Sequence, residues 1–444
     1  VLDTYLLLGD TEIANHARLD AYLQSVGSPL TSKQACHCPT FTAQLVGDRP
    51  YTTPQGDAAP WWDPNVPASA EFAGLMVLDV DGLDDHPVKR TVTTAVAGGA
   101  ALGPPRVQPR TIVVKALVLG STCCGVDYGL NWLARALEGC GTPKCGDCPS
   151  AACGGTDLTV YNCCPSEALG VEEFTARHRR TLRRVALVDG PTVLAREGDG
   201  CSTGDGCSAG ADVLTVEFTL TAATPWLWAD PVPVLDAAIP RDSTNNCIQW
   251  CVHPSANCPG TCQLAECPQP PVLCSDPTCR TPTPPSPPPP DTCFCQALAP
   301  DVQCFGLDRS ARARWFPDAP VITVDAGGSD LRRLTVTFYE RTAANAGMTC
   351  AQIADAARCA PHSVYHAAYV PAGGTLTLDG QVGRATVTCR GVTETSPDVF
   401  GRDGAPPSWR LLECTAFCVC ISSDPLFTPA ADATVSISLS GRGY

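Results

Sequence analysis

Along much of this chain, apolar and polar positions alternate with the two-residue period of a β-strand. Thr111 to Leu119 is almost continuously β-branched or aliphatic, which predicts a buried strand. Leu214, Val216, Phe218 and Leu220 alternate with Asp212, Thr215, Glu217 and Thr219, which predicts a strand with one face in a core. Val171 to Val188 reads as strand as well. Later in the chain the period returns at Leu334, Val336 and Phe338, at Leu376 and Leu378, and at Val435, Ile437 and Leu439. Turns are expected at Gly327-Gly328, Gly373-Gly374 and Asp379-Gly380, the last a hairpin signal. One segment follows a helical spacing instead: Val126, Leu130, Leu133 and Leu137, with Gly139 where a helix would stop. A single amphipathic helix is expected near 126–138, and a second, short one fits Cys350 to Cys359.

The expected fold is therefore mainly β, with two β-sandwich-type domains joined by a Cys/Pro-rich module. Residues 1–235 form the first domain, carrying the one helix and closing near Pro225 to Pro231. Residues 236–304 show little apolar periodicity and include TPTPPSPPPP at Thr281 to Pro290, a polyproline run that cannot join a sheet. Residues 305–444 form the second sandwich.

Composition narrows the function. At 444 residues the chain exceeds one ordinary core. Its net charge of -15 disfavours non-specific affinity for nucleic acid, and no specific nucleic-acid binding is expected. Only Lys33, Lys89, Lys115 and Lys144 are lysine, and the dominance of Arg, with abundant Ala, Gly and Pro, points to a GC-rich gene and an actinobacterial setting. No apolar run reaches the roughly 18 residues of a membrane helix, and Val1 to Gly9 lacks a basic flank and a cleavage site, so neither a span nor a retained signal peptide is expected.

Twenty-eight cysteines are too many for a reduced cytosolic protein without a metal to explain them. Twelve lie at Cys36, Cys38, Cys123, Cys124, Cys140, Cys145, Cys148, Cys153, Cys163, Cys164, Cys201 and Cys207. Ten lie at Cys247, Cys251, Cys258, Cys262, Cys267, Cys274, Cys279, Cys293, Cys295 and Cys304. Six lie at Cys350, Cys359, Cys389, Cys414, Cys418 and Cys420. Even numbers in each segment permit local disulfides, and all are candidates. Cys145 and Cys148 also have the spacing of half a structural zinc site, the alternative to disulfides there.

Candidate chemistry is sparse. Asp199, Asp205 and Asp212 follow no calcium-loop order and read as turn acids. His362 and His366 lie four apart, but Ser363 replaces the glutamate of a zinc-protease motif and the segment reads as strand. No nucleophile elbow, phosphate loop or carboxylate pair is found, so no enzyme, cofactor or catalytic residue is expected. Arg177, Arg179, Arg180, Arg183 and Arg184 surround His178 in what reads as one strand, a charged face suited to an acidic neighbouring subunit. Trp61, Trp62, Trp226 and Trp228 read as core or subunit-interface anchors rather than sugar platforms.

Five segments, taken in order, resemble the minor tail proteins of long-tailed actinobacteriophages, of the distal tail protein type. They are LLLGDTEIANHARLDAYL (Leu6 to Leu23), PWWDP with SAEFAGLMVLDVDGL (Pro60 to Leu83), GLNWLARALEG (Gly129 to Gly139), EFTLTAATPWLWADPV (Glu217 to Val232) and VSISLSGRGY (Val435 to Tyr444). The cysteine-rich loops and the 236–304 module depart from the pattern. The resemblance implies a ring-forming N-terminal domain, commonly a hexamer, and a galectin-like C-terminal sandwich. It implies partners in the tail tube, tape measure and hub proteins, and a place in the virion tail tip, extracellular after release. A receptor- or carbohydrate-binding tip protein contacting a host cell-surface glycan is the alternative. A metal-dependent cell-wall hydrolase using Cys145, Cys148, His362 and His366 is a third class, distinguished by clearance of cell walls with added zinc.

Overall fold

A computed structural model of the chain describes residues 2–28, 30, 38, 40–138, 155–197, 212–241, 248–251, 293–296, 301–310, 312, 316–413, 416–424 and 427–443. The chain divides into two compact units, Val1–Asp230 with Arg442–Tyr444, and Pro231–Gly441. Both are built from antiparallel strands, as the two-residue period requires.

In the first unit, β1 (Leu2–Leu8) and β2 (Thr11–Asn15) form a hairpin that leads into α1 (His16–Ser25). Asn15 caps that helix, its side-chain oxygen accepting from the Arg18 amide. Next comes β3 (Phe72–Asp81). One interrupted hairpin follows, its outer ladder pairing β4 (Val88–Lys89) with β7 (Arg106–Val107) and its inner ladder pairing β5 (Val92–Thr94) with β6 (Ala100–Leu102). β8 (Arg110–Gly120), α2 (Cys123–Leu137), β9 (Thr156–Tyr161), α3 (Val171–His178), β10 (Arg179–Glu197), β11 (Asp212–Ala222) and β12 (Leu227–Ala229) complete the unit.

β10 belongs to two sheets. Its first residues pair with β9 and β12, extending the order β2-β1-β9-β10-β12. Its remainder pairs with β11, which pairs in unbroken register with β8 from Asp212↔Gly120 to Ala222↔Arg110, and β8 pairs with β3. Between the two surfaces lies one core, with Leu6, Leu158, Val160 and Leu182 from one side and Ile112, Val114, Val216, Phe218 and Leu220 from the other. Val126, Leu133 and Leu137 of α2 enter the same core. The helix comes this close because Gly129 has no side chain: a Cβ there would lie 2.4 Å from the Phe72 ring.

Three features of this unit correct the sequence reading. Among the described residues it has three α-helices rather than one. Val171–His178 is helix rather than strand, with Phe174 buried and Glu172 and Glu173 in its first turn, where the helix dipole favours acids. The arginine group is split accordingly, Arg177 and His178 ending α3 while Arg179, Arg180, Arg183 and Arg184 lie in β10.

The second unit is a two-sheet sandwich. One sheet has the order β13-β25-β17-β20-β21-β22: β13 (Val232–Ala238), β25 (Thr434–Gly443), β17 (Asp318–Asp325), β20 (Thr375–Asp379), β21 (Arg384–Cys389) and β22 (Val392–Thr395). The other has the order β16-β24-β18-β19-β23: β16 (Asp301–Asp308), β24 (Ala416–Ser423), β18 (Leu331–Glu340), β19 (Ser363–Val370) and β23 (Val399–Phe400). Ile322, Val324, Leu376, Leu378, Val435, Ile437 and Leu439 face Leu334, Val336, Phe338, Phe417, Val419 and Ile421 in its core. β14 (Ile248–Cys251) pairs with β15 (Cys293–Gln296), and α4 (Cys350–Ala356) is closed by a Thr349–Gln352 capping box. Val232–Ala238 is a strand of the second sandwich, β16 begins at Asp301, and Arg442–Tyr444 count with the first unit.

Candidate interaction surface

Between β3 and β8 the chain runs out and back as one arm, the β5–β6 ladder nested inside the β4–β7 ladder and turning at Gly98 and Gly99, both at positive φ. Every residue from Lys89 to Leu102 is exposed. Val92, Val96, Leu102 and Val107 therefore stand in water, Val92 at 62% and Leu102 at 68% exposure, with no core of their own. Lys89, Arg90 and Arg106 make the arm locally basic in an acidic chain. The hydrophobic period of the sequence does not predict this arm. Its signal was present in VTT and AAL on either side of Gly98-Gly99, but two- and three-residue strands lie below what period counting resolves.

Arg110 holds the root of the arm. Its side chain is buried, Nη1 donating to the Gly82 and Leu83 carbonyls at 2.8 and 2.6 Å, and Nε to the Pro225 carbonyl at 2.9 Å. Burial pushes its pKa down, while Asp85 and Asp84 act in the opposite direction at longer range. An arginine answered by carbonyls alone fixes direction rather than adding net charge stabilisation.

The arginine group is largely neutralised within the unit. Arg179 pairs with Asp230 at 2.9 Å, Arg183 with Asp157 at 2.6 Å, and Arg177 with Glu173. Half-buried Arg180 donates to the Arg179 carbonyl at 2.6 Å. Its pKa is lowered by burial and raised again by Asp230 and Cys163. Arg184 is exposed and adopts a positive φ of 59°. Beside this group, His178 Nδ1 lies 3.2 Å from the Cys163 sulfur and 2.9 Å from Asn162 Oδ1. Burial, then Arg180 and Arg177, depress the His178 pKa, which keeps the ring neutral at neutral pH.

The tryptophans divide. Trp61 is buried, its indole donating to the Phe72 carbonyl at 3.1 Å and its ring packing on Phe72 and Trp132, with Trp62 against the same core. Trp228 is buried, and Trp226 is covered by the Arg442 guanidinium at 4.2 Å. Trp61 and Trp228 thus lie in the buried interior.

Cys38 is bonded to Cys164, Cys304 to Cys420 and Cys350 to Cys418. Cys123, Cys124 and Cys359 are also disulfide-bonded. Cys163 and Cys389 carry free thiols, so pairing does not extend to every candidate. Cys251, Cys293 and Cys295 lie in β14 and β15. Cys36, Cys140, Cys145, Cys148, Cys153, Cys201, Cys207, Cys247, Cys258, Cys262, Cys267, Cys274, Cys279 and Cys414 lie outside the described residues, as do Asp199, Asp205 and the Thr281 to Pro290 run. Among the described residues no group of three or more His, Cys, Asp or Glu could hold a metal ion. His366 Nδ1 sits 2.7 Å from Thr335 Oγ1, while His362 packs on Phe417. No helix among the described residues is long and apolar enough to cross a membrane.

No protein-family model matches the chain, and no curated protein matches it. Solved structures do resemble it at low scores. The Dit (gp 19.1) protein of phage SPP1, described as a paradigm of hub adsorption apparatus in phages infecting Gram-positive hosts, aligns with a TM-score of 0.33 and 10% identity over 85% of this chain and 96% of its own. The phage p2 baseplate in its activated conformation with Sr aligns at 0.36 and 9% identity, and with Ca at 0.33 and 8% identity, each over 85% of this chain and 92% of its own.

Proposed function

We propose that this chain is a structural, non-enzymatic component of a bacteriophage tail tip, whose first unit assembles into an oligomeric ring between tail tube and hub. The five ordered sequence segments support the setting, and the observation that carries the assembly reading is the basic arm with its exposed valines and leucine. Such a strand pair is stable in water only when another surface covers its apolar side. Here the cover is a neighbouring copy, whose net negative charge suits Lys89, Arg90 and Arg106. Arg180 and Arg184 contribute to the same class of contact, and the tube, tape measure and hub proteins meet the assembled ring in the virion.

Mass photometry and negative-stain electron microscopy of the full chain test this reading. Closed rings, reduced to folded monomers when residues 88–107 are replaced by a short Gly-Ser turn, are the expected result. A wild-type chain that stays monomeric at micromolar concentration and is absent from purified virions overturns it.

A further inference from the structure

Cys163 and Cys164 are adjacent and both exposed, yet they differ in state: Cys164 is bonded to buried Cys38, while Cys163 is free. The fold fixes what surrounds the free sulfur. β9 ends at Tyr161, β10 returns antiparallel from Arg179, and the Asn162 amide donates to the His178 carbonyl at 2.9 Å. This closure sets the His178 ring against the sulfur, Nδ1 to Sγ being 3.2 Å. Asn162 Oδ1, 2.9 Å from the same nitrogen, assigns the ring proton to Nδ1, so one N–H is directed at both the amide oxygen and the sulfur. Arg180 interacts electrostatically with Cys163 from the neighbouring strand. On the bridge side, the Thr40 hydroxyl lies 3.4 Å from each of the Cys38 and Cys164 sulfurs.

A free, exposed thiol with an imidazole nitrogen 3.2 Å from its sulfur stands one residue from a disulfide, the arrangement that thiol–disulfide exchange needs. We propose that Cys163 is a thiol–disulfide exchange nucleophile whose resident substrate is the Cys38–Cys164 bridge. The Cys163 thiolate attacks the Cys38 sulfur, a Cys38–Cys163 bond forms, and the Cys38–Cys164 bond breaks. Cys164 leaves as a thiolate and takes up the proton that Cys163 released. One thiol and one disulfide stand on each side, so no oxidant or reductant is needed. Attack on Cys38 avoids the cramped ring that a bond between adjacent cysteines would close, and chain proximity replaces a bimolecular encounter. The segment carrying Cys38, Phe41 and Leu45 thus stays tied to the end of β9 through either of two neighbouring anchors.

The test is peptide mapping of the full chain, purified without reductant, held at neutral pH, quenched in acid and alkylated with N-ethylmaleimide. Alkyl label shared between Cys163 and Cys164, with Cys38 found linked to each, is expected. Cys163→Ser confines the bridge to Cys164, and Cys164→Ser folded under oxidising conditions yields a Cys38–Cys163 bridge. His178→Gln slows the approach to the final distribution several-fold and leaves that distribution unchanged, which a purely structural histidine would not do. Label on Cys163 alone in the wild-type chain after prolonged incubation overturns the proposal, whether or not the variants fold.

Discussion

The two strand cores and the small layers packed outside them are held together by different means. The core of each unit is a set of facing aliphatic and aromatic side chains that includes no cysteine. The outer layers are small. One gathers Leu2, Tyr5, Phe41, Leu45, Tyr161 and Phe174 and is tied by Cys38–Cys164. Another sets Ile353 of α4 against Tyr339 and is tied by Cys350–Cys418 beside Cys304–Cys420. A third lays Leu19, Tyr22 and Leu23 of α1 over Met76 and Leu119. Instead of a bridge, α1 carries Arg18, buried at 2.7 Å from Glu12, 2.6 Å from Asp48 and 3.2 Å from Asp57, with Tyr51 stacked 4.3 Å away. His16 of the same helix accepts from the Val77 amide at 3.0 Å. A layer only a few side chains deep buries too little apolar surface to order itself, so covalent or ionic ties make up the difference.

Core truncation should break this contrast most severely. Phe218→Ala in the first unit or Phe338→Ala in the second, both fully buried, is expected to cost about 3–5 kcal/mol in a denaturant melt and to unfold the host unit. Arg18→Met leaves three carboxylates facing one another and should cost about 3 kcal/mol, with the loss read as faster amide exchange across α1 before the strands. Removing both Cys350 and Cys418 by alanine substitution should cost about 2–4 kcal/mol, with exchange rising first in α4 and last in β24 and β18. A single cooperative unfolding of the whole chain on adding reductant would contradict the division between core and layer.

The smallest effect is expected from pH. Burial is the first cause lowering the pKa values of His178, His362 and His366, with Arg180 and Arg177 adding for His178 and Arg410 for His362. Each folded pKa lies below the unfolded value, so the unfolded chain binds more protons as pH falls through about 6.5. Stability is therefore fully present above that pH and declines on acidification until the folded pKa is passed. Two of these histidines lie in the second unit and one in the first, so between about pH 7.5 and 5.5 the protection factors, corrected for the intrinsic base-catalysed rate, should fall more in the second. His362→Gln with His366→Gln should reduce that difference; an unchanged difference assigns it to other groups.

Legibility followed the length of the repeating pattern. β8, β11, β25 and α2 were readable because each presents several periods of burial, as in the strictly alternating β11. α3 was misread as strand because its eight residues hold one buried side chain, Phe174, and adjoin a nineteen-residue strand. The opening hairpin and α1 were missed as elements: Arg18 and His16 sit in α1 as buried polar residues, which a hydrophobicity pattern counts as exposed. For the interaction surface, the arginine group was visible as a charge run. That most of its charge is answered by Asp157, Glu173 and Asp230 was not, since these acids stand between 4 and 51 residues from their partners in the chain.

By itself the sequence determined the β character, the strand faces and the abundance of cysteine, because side-chain period and composition are local properties of the chain. Only the tertiary structure decided which tryptophans became core, which arginines were neutralised, that an arm leaves the first unit, and that Cys163 stands free beside a bridged neighbour. Most of these depend on residues brought together from distant parts of the chain by strand register and burial, as Arg179 meets Asp230 and Cys38 meets Cys164, and no local pattern encodes such a meeting.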